Sequence, residues 1–184
     1  QPLGNNSGET VASAVEHLSG VIRENISLRR AARLTAGPNG KIGTYVHNAL
    51  APGKGGVGCM VAIDVDGGLA NSDEAEVSQL GTTVSLHIAA ARPLYLTVDS
   101  IPESAAEREK AVHLELAMQS GKPAEIAEKM VTGKMRKFYE ETVLCNQKCV
   151  VDEDGFAMSK MVGKAMKGAS IGGFLRLEVG EEMR

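Results

Sequence analysis

The alternation of apolar and polar positions changes period several times along the chain, and each change marks an element. Val11, Ala14, Val15, Leu18 and Ile22 recur at i, i+3, i+4, i+7 and i+11, which predicts an amphipathic helix ending near Asn25. From Ile26 the period falls to two. Ile26, Leu28, Ala32 and Leu34 share one face of a predicted strand, with Arg30 as the polar exception. Gly37-Pro38-Asn39-Gly40 is a turn, residues 41–47 a second strand and residues 57–65 a third, joined by a Gly-rich loop at 48–56. These segments predict a three-stranded antiparallel meander backed by a helix. Ser72 stands where an N-cap belongs, with Asp73, Glu74 and Glu76 in the first turn. Val77, Leu80, Val84, His87, Ile88 and Ala91 then line a helix until Arg92-Pro93 stops it, before a short extended piece at 94–98.

Residues 102–141 read as two helices around one sharp break, Gln119-Ser120-Gly121-Lys122-Pro123. Gly121 suits the end of one helix and Pro123 the start of the next. On the second arm Ile126, Met130, Met135 and Phe138 fall on one side; on the first, Ala106, Val112, Leu114, Leu116 and Met118 give a looser stripe. Two readings stand: an ordinary helix pair within a core, or a protruding antiparallel coiled coil with polar outer faces. Beyond it, residues 142–145 and 149–151 read as short strands, and Phe156, Lys160, Val162 and Met166 belong to a short helix. Residues 171–179 close as a strand with Leu175, Leu177 and Val179 on one face and Phe174 and Arg176 on the other. A helix followed by an Ile-led strand carrying Arg thus occurs twice. The expected fold is α+β: two related subdomains, each a small antiparallel sheet with helices, plus the hairpin. The expected division is a disordered lead-in at 1–8, an N-terminal subdomain at 9–98 and a C-terminal one at 99–184.

At 184 residues, with 43% hydrophobic and 23% charged, the chain is of ordinary globular composition. Aromatic residues are 3% and Trp is absent, so stacking platforms for single-stranded nucleic acid are nearly lacking. A net charge of −3 likewise gives no nucleic-acid footprint. No apolar run approaches the length of a membrane span and no signal-peptide pattern opens the chain. It starts at Gln1 rather than Met, so an upstream segment is expected in the natural protein.

Candidate chemistry is sparse. Cys59, Cys145 and Cys149 are odd in number and lack zinc spacing, which fits reduced thiols. Lys54-Gly55-Gly56-Val57-Gly58 has the letters of a phosphate loop, but Cys59 and Met60 stand where its Lys and Ser/Thr belong, and a strand follows. His17, His47, His87 and His113 form neither H-x3-H nor HExxH, and no G-x-S-x-G elbow occurs. No metal or cofactor is expected, and the chain reads as a binding protein rather than an enzyme. His87 is the one histidine on an apolar helix face; it is either a satisfied core histidine or a partner contact.

Four blocks, ENISLRRAARL, LHIAAARPLYL, HLELAMQSGKPAEIAEKMVTGKMRKFYEE and FLRLEVGEE, stand in one order over residues 14–182. Together they resemble elongation factor Ts of bacteria and organelles, the guanine-nucleotide exchange factors of elongation factor Tu. The resemblance implies two related α+β subdomains with a coiled coil, and a partner, Tu, engaged in its GDP-bound and nucleotide-free forms. It implies exchange by differential binding, with no covalent chemistry. By matching blocks, it places partner contact at Leu86 and His87, at Val57 and Gly58, and at Val150 and Val151. Some members pair, so a second copy bound through the hairpin or C-terminal region is a further implied partner; nucleic acid and membrane are not. The implied location is bacterial cytoplasm or an organelle. Members of the family also begin with a ubiquitin-associated-like domain and a Thr-Asp-Phe segment that disturbs the magnesium site of Tu, and neither occurs in these residues. The alternative is therefore a Tu-binding or assembly module that retains the fold without exchange.

Overall fold

The computed structural model describes residues 9–67, 74–119, 121, 123–152 and 154–182. The lead-in at 1–8 and the N-cap expected at Ser72 lie outside them. By compactness the chain divides into Gln1–Arg33 and Leu34–Arg184. In the first unit the apolar spacing forms helix α1, Val11–Ile22, as predicted. Thr10 and Ser13 close a reciprocal cap: Ser13 N–H donates to Thr10 Oγ1 at 3.2 Å and Thr10 N–H to Ser13 Oγ at 3.0 Å. Arg23 ends the helix in the left-handed region at φ 57°. The strand expected at 26–34 does not form. Its alternation is broken by Arg30 and diluted by Ala31 and Ala32, which are weak strand formers.

The second unit is built on strands β1, Lys41–Ala51, and β2, Lys54–Val65, with Pro52 and left-handed Gly53 as the whole turn between them. The Gly-rich loop expected at 48–56 is therefore mostly hairpin, and its phosphate-loop letters run within β2. The third strand, β3, Ala169–Glu178, comes from the far end and pairs with β2 in the order β1-β2-β3, antiparallel throughout. The α+β class holds, with one sheet among the described residues instead of one for each half. The short strands expected at 142–145 and 149–151 are a single 3-10 turn, Leu144–Asn146, with two isolated bridges, Tyr95 to Val143 and Lys148 to Ala157. Their amides are taken singly by neighbouring carbonyls, Leu144 N–H by Tyr95 at 2.8 Å and Cys149 N–H by Phe156 at 3.2 Å, so no ladder grows.

One face of β2 buries Val57, Cys59, Val61, Ile63 and Val65 at period two. Against it lies α2, Glu74–Ala91, which buries Val77, Leu80, Val84, His87 and Ile88 as its spacing requires. Gly43 of β1 and Gly81 of α2 meet backbone to backbone; a Cβ on either would overlap the other. Helix α5, Met158–Ala165, closes the core with Met158 and Val162.

Helices α3, Glu103–Gln119, and α4, Ala124–Thr142, pack on each other through a small second core of Ala117, Ala127, Val131 and Met135, flanked by Phe138 and Tyr139. On α4 the predicted Met135 lies in the seam with Phe138 beside it, but Ile126 is exposed, and on α3 Val112, Leu114, Leu116 and Met118 are exposed while Ala117 takes the buried place. Small residues let the backbones approach, and that outweighs burying the larger side chains, which the narrow contact cannot cover. Arms of 17 and 19 residues hold fewer than three heptads each, so the pair is a helical hairpin without a sustained coiled-coil repeat.

Candidate functional site

Leu86 and His87 are consecutive on α2 and so point about 100° apart. Leu86 is half-buried and, with Tyr45, His47, Ala89 and Ala90, lines a cavity of about 260 Å³ between α2 and β1. Tyr45 Oη lies 3.3 Å from His47 Nδ1 at its mouth.

His87 turns inward and is 0% exposed. Its Nδ1 accepts the Val150 N–H at 3.2 Å, and its Nε2 lies 3.0 Å from Gln147 Oε1. Burial holds the imidazole below its ordinary pKa, and the bond to Gln147 offsets only part of that. Gln147, itself buried, uses its amide nitrogen on the carbonyls of Glu141 at 2.7 Å and Ala91 at 3.4 Å. These carbonyls belong to the last turns of α4 and α2, where helix acceptors have no partner of their own. Val150 and Val151 follow, 54% and 50% exposed. The structure thus joins His87 to Val150 directly.

Val57 and Gly58 lie elsewhere, on β2. Val57 is buried on the helix side, opposite His47 of β1 and Glu178 of β3; Gly58 is exposed on the other face with open space above it. Gln147 escaped the sequence reading because nothing in Asn146-Gln147-Lys148 distinguishes it from a loop glutamine.

A second polar cluster ties the end of α2 to β3. Arg92, left-handed at φ 51°, and Arg176, with a side chain 8% exposed, both reach Glu178, at 3.3 Å and 2.7 Å. The bond from Arg176 holds the Glu178 carboxyl below the usual range. The thiols are the opposite case: burial pushes Cys59 up to about 11 despite nearby Arg176, and pushes Cys145 upward as well.

The family model described as Elongation factor TS matches residues 2–181. The chain belongs to the elongation factor Ts family. It is 42% identical over 181 residues to elongation factor Ts of Brucella anthropi, and 45% identical to those of Brucella ovis and Brucella canis. Each match covers 96% of this chain and 57% of the relative, so the chain spans a little over half the length of the Ts factors it resembles. Among the described residues no helix is long and apolar enough to cross a membrane.

Proposed function

We propose that the chain binds elongation factor Tu, GDP-bound and nucleotide-free, and promotes the release of GDP in the bacterial cytoplasm. The family match over residues 2–181 carries this reading. Gly58, Leu86, Val150 and Val151 are the contact residues, with Val57 and His87 setting the backbone beneath them. Exchange follows from linkage: a factor that binds nucleotide-free Tu better than Tu·GDP must weaken GDP by the same factor. The interface should be of standard size or larger, about 1,200 Å² or more.

Stopped-flow release of labelled GDP from Tu tests it. Acceleration by the chain, reduced at least tenfold in Val150→Asp with Val151→Asp, supports the proposal; no binding to Tu by calorimetry overturns it. In a second reading the chain binds Tu without exchange, and the same assay separates the two. Binding with an unchanged GDP release rate would select that reading.

A further inference from the structure

Three polar residues are buried among the described residues, Ser85, His87 and Gln147, and the last two face each other. The directions of their hydrogen bonds follow from chemistry. A peptide N–H can only donate, so His87 Nδ1, which takes the Val150 N–H at 3.2 Å, carries no proton. The proton of the neutral ring is then on Nε2, and Gln147 Oε1 accepts it at 3.0 Å. With Oε1 the acceptor, the two hydrogens of the Gln147 amide are donors, and two carbonyls, Glu141 and Ala91, stand ready for them. Any other assignment places a donor against a donor somewhere in this chain of bonds.

We propose that Gln147 is a positioning residue for the partner surface: it selects the His87 tautomer that catches the Val150 amide, and so fixes Val150 and Val151 outward at the converging ends of α2 and α4. This rests on the reading of Val150 and Val151 as contacts with Tu. The segment needs such an anchor. It has no strand ladder, only a 3-10 turn and two isolated bridges, yet it exposes two adjacent valines. A backbone ordered before contact avoids an ordering cost of about 1–2 kcal/mol for each residue fixed, which is about tenfold in affinity for one residue. Gln147 touches no partner in this scheme; it acts through His87.

Substitutions that mimic one ring nitrogen at a time separate positioning from general core support. In the full chain, His87→Asn keeps an acceptor near Nδ1 for Val150, whereas His87→Gln keeps a group near Nε2 for Gln147 and gives up Val150. Binding to Tu, measured by calorimetry beside urea midpoints, should weaken about threefold in His87→Asn and tenfold or more in His87→Gln. Gln147→Leu should cost about tenfold with His87 present, and less than twofold more when added to His87→Asn, which has already removed the choice of tautomer. Nitrogen-15 spectra of the unbound wild-type chain should show His87 protonated on Nε2 alone. Undiminished binding in both His87→Gln and Gln147→Leu overturns the positioning role by itself, as does a proton found on Nδ1. Failure of the wild-type chain to bind Tu overturns the partner reading and the role with it.

Discussion

Adding one methyl group at the crossing of α2 over β1 should cost far more at Gly43 than at Gly81. A Cβ on Gly43 would overlap the carbonyl carbon, Cα and oxygen of Gly81, all backbone atoms that cannot rotate aside. A Cβ on Gly81 would lie 2.7 Å from Gly43 Cα and 3.1 Å from its nitrogen, a lesser overlap. Overpacking of this kind costs about 1–3 kcal/mol, and the immovable neighbours put Gly43→Ala at or above the upper end. Alanine returns about 0.5–1 kcal/mol in a strand and about 1 kcal/mol in a helix. The expected net loss is therefore about 2–3 kcal/mol for Gly43→Ala and about 0–2 kcal/mol for Gly81→Ala. A methyl group on Gly133 of α4 would meet nothing within 4 Å, so Gly133→Ala should gain up to about 1 kcal/mol. Urea unfolding followed by circular dichroism reads all three. With a slope of about 2 kcal/mol/M, the Gly43→Ala midpoint should fall by about 1 M or more and the Gly133→Ala midpoint should rise. A Gly43→Ala midpoint within about 0.2 M of wild type would refute the backbone contact.

Asp64 Oδ1 accepts the Gly37 N–H at 2.7 Å, and Gly40 and Gly172 leave room for its carboxylate. Asp64→Ala should lose about 1–3 kcal/mol and lower the calorimetric melting temperature by several degrees, and an unchanged melt would contradict the latch. His87 has a folded pKa below its ordinary 6.5, so the unfolded chain binds the extra proton. Stability is then full above pH 6.5 and declines as pH falls toward and through the folded value; His87→Asn should flatten the urea midpoint between pH 7 and 5, and an unflattened profile would assign the effect elsewhere. Cys59, with its thiol near 11, should alkylate far more slowly at pH 8 in the native chain than in urea, with mass spectrometry of the peptides as the readout. Equal rates would mean that the strand is not shielding it.

Elements that depend on their own residues were legible in the sequence. Helix α2 follows from Val77, Leu80, Val84 and Ile88, and the break between α3 and α4 from Gly121 and Pro123. What failed depends on distant partners. Whether residues 26–34 join a ladder is decided far along the chain, where β2 takes residues 169–178 as its second neighbour, and local alternation cannot report that choice. In the hairpin seam Met135 was legible as part of an apolar stripe, but Ala117 and Ala127 were not, because close approach of two backbones rewards small side chains that such a stripe passes over. His87 could be singled out as the lone histidine on an apolar face. Gln147 could not, since its meaning arises only where the ends of two helices meet.

The strand order β1-β2-β3 sets a timetable for synthesis. Residues 66–168 separate the end of β2 from the start of β3. At about 5–20 residues per second, a nascent chain carries β2 for about 5–20 seconds before its second neighbour exists. Through that interval one edge of the most buried strand of the sheet offers an unpaired row of amides and carbonyls beside Val57, Val61 and Ile63. The polar helical hairpin emerges during this wait, and the chain must remain soluble around an open edge until β3 arrives.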